Sequence, residues 1–265
     1  MGGLRWPWVS AVLRRELREL IQNRWLLFGI AIPPVVLVVA PIVLGAILPP
    51  TALPPNLREA VIQQRPEWAT LSRRELSGAF VVQQFLPYFL LMPAYVPLAI
   101  ATFSIIGEKQ SRSLEAVLAT PIRTGELLAA KSVAALVPGV LVGWLTYLVF
   151  ALLASLVYGP RLLGIVTDSS WLAGVFALGP AIGLASTVMG VIVSARVNDP
   201  RVAQQVGAVV IIPIVALAIL QATGTLLVGA AGYLLLAAVV TVIAVIGLRI
   251  GVYLFQREAI LTRWR

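Results

Sequence analysis

The groups able to do chemistry are few. The chain has no cysteine and no histidine, which removes disulfides, thiolate metal sites, cysteine nucleophiles and imidazole bases together. Its 20 basic residues are arginines apart from Lys109 and Lys131, and they face 11 acids for a net charge of +9. No Gly-Lys pair occurs, so the phosphate-cradling G-x-x-x-x-G-K-[ST] loop is absent. The chain carries no cofactor site of its own, and any ATP-driven step draws on another polypeptide. The aspartate pairs, Ser/His couples and metal ligands of membrane proteases and zinc enzymes cannot be assembled from these residues either.

Two segments hold the informative spacings. The first runs from Gly107 to Lys131, GEKQSRSLEAVLATPIRTGELLAAK. Ser111 or Ser113 can cap a short helix. Leu114, Val117 and Leu118 share one face of it, and Pro121 ends it, disfavouring helical geometry already at Thr120. Thr124 can cap the next helix, with Glu126 in its first turn. So short a helix is marginal alone in water, so its apolar stripe must be buried on the protein's own helix ends or in a partner's groove. The second segment is Val9–Arg24. Val9, Val12, Leu13, Leu17, Leu20 and Ile21 fall on one helical face, and Arg14, Arg15, Arg18 and Glu19 on the other. This predicts a basic amphipathic helix along the inner membrane surface, with Trp6, Trp8 and Trp25 at the interface. Taken alone, the pattern fits a generic anchor.

The elements that must position these segments are membrane spans. Residues of the AVILMFWYC set make up 60% and charged residues 12%, which excludes disorder and an ordinary soluble core. Apolar runs predict an all-α polytopic membrane protein with six spans near 25–48, 80–106, 132–158, 171–195, 202–220 and 226–248 in one transmembrane domain. Each is near or above the ~20 residues that cross a bilayer. Only Gln221–Thr225 separates the last two, so a re-entrant hairpin is open there. The first run starts too late and is too long for a secretory signal. Fifteen basic residues (Arg5, Arg14, Arg15, Arg18, Arg24, Lys109, Arg112, Arg123, Lys131, Arg196, Arg201, Arg249, Arg257, Arg263 and Arg265) fall on one side. Arg58, Arg65, Arg73, Arg74 and Arg161 fall on the other. That bias places both termini, 1–24 and 249–265, in the cytoplasm of a cell membrane with loop 49–79 outside. Spread over four segments, the charge does not form a nucleic-acid surface. The external loop, with Trp68 as a headgroup anchor, is either a gate cap or a solvated connector. No ionisable residue lies within the spans, which argues against a proton-driven carrier, a proton pump or a voltage sensor. Gly139/Gly143, Gly179/Gly183 and Gly247/Gly251 have the small-x-x-x-small spacing of close helix approach.

The 107–131 segment resembles the type-2 permease family of ATP-binding-cassette (ABC) transporters. The resemblance rests on Glu108-Lys109, Leu114-Glu115, Leu118, Thr120-Pro121, Glu126-Leu127-Leu128 and Lys131. Arg112-Ser113 and Ala130 depart from the usual Gly-Thr and Gly. Arg15-Glu16-Leu17, Asn23-Arg24 and the tail FQREAIL are similar to the family as well. The resemblance implies a six-span half-transporter of prokaryotic source that pairs with a second copy and rests on two separate ATPase subunits holding ATP and Mg. It makes 111–119 the cytoplasmic coupling helix, with Glu108, Leu114, Glu115, Val117, Leu118 and Pro121 at the ATPase, and makes the Arg14, Arg15, Arg18 helix the interfacial connector. The expected function is the permease subunit of an ABC exporter. A self-sufficient channel or sodium-coupled carrier and a non-transporting scaffold are the alternatives, and co-purification with an ATPase separates them. Gln83, Gln84, Thr102, Ser104, Thr146, Ser186 and Thr187 leave the substrate class open.

Overall fold

A computed structural model describes residues 6–47, 55–111, 124–222 and 228–254. Among these residues there are helices and turns and no strand. In lipid the backbone must satisfy its own hydrogen bonds, which a helix does within one segment. The amphipathic α1 (Trp6–Gln22) ends at Asn23, whose side chain accepts from the Leu26 N–H at 3.1 Å and starts α2 (Arg24–Ile47). A short α3 (Pro55–Gln64) and a 3-10 turn (Pro66–Thr70) lead to α4 (Arg73–Phe89) and α5 (Leu91–Gln110). Next come α6 (Thr124–Tyr158), α7 (Arg161–Val166), α8 (Ser169–Leu172) and α9 (Gly179–Arg196). The chain closes with α10 (Pro200–Gly207), α11 (Ile212–Ala222) and α12 (Ala230–Leu254).

Six stretches are long and apolar enough to cross a membrane: Leu26–Leu44, Arg73–Gln110, Gly125–Tyr158, Ser169–Arg196, Pro200–Gln221 and Ala230–Gly251. The last two are each of spanning length, so this pair has the dimensions of full crossings. The second and third spans outrun their apolar cores. At 1.5 Å per residue α6 is roughly 50 Å long against a ~30 Å hydrocarbon layer, and its excess carries charged residues at the end that holds both termini. Ser72 caps α4 in a reciprocal box with Glu75. Residues from Arg73 on, placed in the external loop by the sequence, are therefore the first turns of the helix that continues as the second span.

Three spans are interrupted, each at a proline. Pro93 leaves the Phe89 carbonyl without its i+4 donor, and the second span breaks at Leu90, whose N–H turns to the Pro87 carbonyl. In the fifth span Pro213 withholds the donor for Val209. The chain tightens into a 3-10 turn over Ala208–Ile211, and the Ile212 N–H takes that carbonyl instead. In the fourth span residues Ala173–Leu178 widen into a π-helix, in which Gly179 N–H reaches Gly174 O. That register would pair Val175 O with Pro180, which has no N–H; Trp144 Nε1 donates to it at 3.3 Å instead.

The core gathers around α5 and α9, with α6 and α12 packed on them. All three small-residue pairs serve packing within the chain. A Cβ on Gly139 would lie 2.4 Å from Pro97 Cγ, one on Gly183 2.8 Å from Leu136 Cδ1, and one on Gly247 2.9 Å from Val188 Cγ1. Toward the end opposite the termini, Trp171 stacks on Tyr147 (5.9 Å) and Phe150 (5.8 Å) and donates to Gln83 Oε1 at 3.1 Å. Tyr158 OH ties α6 to the Pro41 and Ile42 carbonyls of α2 at 2.9 and 2.8 Å.

At that same end the α3 segment docks on α7. Trp68 is 5% exposed, packed with Val61, Ile62, Leu71, Leu76, Ala79 and Ile165. It is a core residue of this small unit and not the expected headgroup anchor, because the 3-10 turn folds the indole inward. Two reciprocal arginine clamps hold the unit. Arg65 Nη1 reaches Asp168 Oδ2 at 3.3 Å, and Arg161 Nη1 reaches back to Thr70 O at 3.2 Å and Glu75 Oε2 at 3.7 Å. Burial pushes the Asp168 carboxyl up, but the Ser169 amide and the Arg65 guanidinium outweigh it and hold it below the usual carboxylate value.

Candidate functional site

The predicted coupling helix lies outside the described residues, together with Leu114, Glu115, Val117, Leu118 and Pro121; so does the tail segment 255–265. Its two bases are described: the last turn of α5 and the first turns of α6. They are built around buried charge.

Glu16 sits in the apolar stripe of α1, at helical spacing from Leu13, Leu17 and Leu20. As α1 packs on α6, this carboxylate is carried inward and is 6% exposed. Lys131, on α6 and 3% exposed, meets it with Nζ 2.5 Å from Glu16 Oε1. The ammonium also donates to Ser104 Oγ at 2.7 Å, and Ser104 in turn donates to Glu16 Oε2 at 2.6 Å. Glu108, at the end of α5, places Oε2 3.0 Å from the same ammonium as an ion pair outside hydrogen-bonding angles. Arg15 Nη2 approaches Glu108 Oε1 at 3.7 Å from the solvent side. The Arg15 guanidinium is held above its usual value by its hydrogen bond to Glu19, against burial, with the Glu108 and Glu16 charges adding to it. Two carboxylates thus face one buried ammonium, with the half-exposed Arg15 guanidinium, itself paired to Glu19 at 2.7 Å, on the solvent side. Removing one partner of such a set leaves a buried charge without compensation and costs about 3–5 kcal/mol.

A second tie runs from α5 to α9. The last carbonyls of a helix lack intrahelical donors, and Lys109 Nζ reaches two at this end, Ser194 O and Val197 O, the latter at 3.4 Å. Gln110 Nε2 donates to Asn198 O at 3.0 Å. The next residue, Asp199, caps α10 through the Arg201 N–H at 2.7 Å. Five helices, α1, α5, α6, α9 and α10, are therefore joined at the bases of residues 112–123. Glu126 is also buried there.

Arg14, Arg15 and Arg18 are exposed on α1. Glu108 is placed otherwise: it faces into the bundle, where its carboxylate pairs with Lys131. Sequence reasoning passed over Glu16 and the buried role of Lys131. The available signal was a lone carboxylate inside an apolar helical stripe, since a charge there must find a partner. Among the described residues no group of three or more acids is placed to hold a metal ion. The cluster ties the ends of α1, α5 and α6 to one another.

Residues 63–231 match the family described as ABC-2 family transporter protein. No curated protein matches the chain.

Proposed function

Because the chain belongs to the ABC-2 family of transporter proteins, a family of membrane permease components, we propose that it is the permease subunit of an ABC exporter that works as a dimer on two separate ATPase subunits. ATP and Mg act on those partners. The termini and residues 112–123 face the cytoplasm, as the fifteen-to-five distribution of basic residues favours, and the α3 unit faces outward. The observation that carries the coupling step is the Glu16–Lys131–Glu108 cluster. An ATPase that displaces residues 112–123 moves the ends of α5 and α6. Through Lys131 it moves α1 with them, and through Lys109 the end of α9. Glu108 positions the loop from inside the bundle, while Leu114, Val117 and Leu118 are the surface offered to the ATPase.

Leu114→Asp tests this. Burying a leucine is worth about 1.5–3 kcal/mol, so the variant should reach the membrane folded, while ATPase capture in pull-down falls or hydrolysis uncouples from transport. If membrane expression is lost, the stripe is internal packing; if expression, capture and transport all stay normal, the contact does not couple. Orientation is tested apart. The chain has no cysteine, so an impermeant maleimide should label Gln63→Cys on sealed right-side-out cells and spare Ser113→Cys; the reverse pattern refutes the topology.

A further inference from the structure

A cleft of about 430 Å³ opens between the α3 unit and α7, far in sequence from the coupling residues. Cavities of roughly 300–1,000 Å³ are of the size that takes small ligands. Its charged lining is Arg65, Glu67, Arg161 and Asp168, beside the apolar surface of Trp68 and Leu71.

The donor and acceptor inventory of this lining is lopsided. A guanidinium has five N–H donors in a planar fork. Arg65 directs only Nη1 at Asp168 and Glu67 (3.3 and 3.6 Å), and Arg161 only Nη1 at Thr70 O and Glu75. The Nε and Nη2 groups of both arginines make no hydrogen bond or ion pair among the described residues. Among the acceptors, Asp168 accepts from Ser169 Oγ at 3.2 Å as well as from Arg65, and Glu67, 60% exposed, stands at the rim with a 3.6 Å ion pair to Arg65. What the two permanent cations have left over is N–H capacity, which matches an oxyanion and above all phosphate, bound bidentately by such forks. Position narrows the source. The cleft lies just beyond Tyr158 and before Arg73 and Ser169, the ends of three stretches long and apolar enough to cross a membrane, where a bilayer would present its headgroups.

We propose that this cleft binds a phosphate group, carried by a phospholipid headgroup at the membrane surface or free in solution, bridging Arg65 of one segment and Arg161 of the other. The ligand would add a third tie to the two clamps. The proposal is independent of the permease reading, because binding needs no ATPase.

The test uses the purified full chain in dodecyl maltoside, titrated with dioctanoyl-phosphatidylglycerol, with dioctanoylglycerol as the phosphate-free control and inorganic phosphate as competitor. The phospholipid should bind saturably, and the control at least tenfold more weakly. Arg161→Gln, a substitution at a side chain 62% exposed, should weaken binding at least tenfold. Gly164→Leu should do the same without touching a charge, because a Cβ at Gly164 meets only open space at the cleft wall. Melting temperatures of both variants verify folding, and either variant alone decides if the other fails to fold. Competition by inorganic phosphate at concentrations comparable to the lipid assigns free phosphate; its failure to compete assigns the headgroup. Absence of saturable binding by either probe, or binding unchanged in the folded variants, overturns the proposal.

Discussion

Lys131→Met is the most direct probe of the buried charge cluster. Methionine keeps the length and volume of the lysine stem, so what is lost is the ammonium. The two carboxylates within 3.0 Å of it then remain buried, with Arg15 on the solvent side of Glu108 as the nearest cation. Breaking a buried pair from one side costs about 3–5 kcal/mol. Glu16→Gln should be much milder. Lys131 keeps Glu108, the amide oxygen still accepts from Nζ, and the amide NH2 in the place of Oε2 can donate to Ser104 Oγ, so the loss is the difference between a charged and a neutral partner, about 1 kcal/mol. Thermal unfolding of the purified chain in detergent reads both. At roughly 2–4 °C per kcal/mol for a chain of this size, Lys131→Met should melt about 6–20 °C lower, and Glu16→Gln only a few degrees lower. A cycle of Lys131→Met, Glu16→Leu and the double variant should show coupling above about 0.5 kcal/mol, because the double variant removes one charge of each sign. A Lys131→Met chain melting within about 2 °C of wild type (the shift expected for about 0.5–1 kcal/mol), or a strictly additive cycle, refutes the reasoning.

Three further outcomes follow from the packing and the far end of the bundle. Gly139→Ala drives a Cβ to 2.4 Å from the rigid Pro97 ring and should cost about 1–3 kcal/mol. Gly207→Ala, which meets the flexible Leu98 Cδ1 at 2.5 Å, should cost less, and equal melting temperatures for the two would contradict the argument. Trp144→Phe keeps a ring beside Phe176 (5.3 Å in the native pair) but orphans the Val175 carbonyl. It should lower stability by about 1–3 kcal/mol in the same melt, and no change would mean another donor takes over. Asp168, held below its ordinary value, stabilises the fold fully above about pH 4, and that contribution is lost as pH falls through the folded value. Asp168→Asn should therefore melt lower than wild type at pH 7, with the gap closing toward pH 3; a gap unchanged at pH 3 sinks this assignment.

Much of the architecture is legible in the residues. Six spans and an amphipathic lead helix follow from composition and period, because lipid rewards apolar surface and leaves the backbone only its own partners. The lead helix expected over Val9–Arg24 is present as Trp6–Gln22, with Arg24 opening the next helix, and its arginines are exposed. Family membership was legible too, in the spacing between Glu108 and Lys131, although much of that segment lies outside the described residues. The span ends were less legible. Apolar runs mark where hydrocarbon ends, whereas α4 to α6 continue until caps and charge pairs stop them.

What the sequence by itself determined is the medium of this protein and its number of spans, since both depend on local composition. The tertiary structure decided the partners. Glu16 and Lys131 lie 115 positions apart, and Ser104 lies 88 from Glu16; their meeting depends on how α1 crosses α6, which no local pattern encodes. Pro93, Pro180 and Pro213 announce lost donors from the sequence. Whether each produces a break, a π-helix or a 3-10 turn depends on which neighbour, such as the Trp144 N–H, takes the freed carbonyl. Trp68 became core and the glycine pairs became internal contacts for the same physical reason: burial is settled by what the rest of the fold brings alongside.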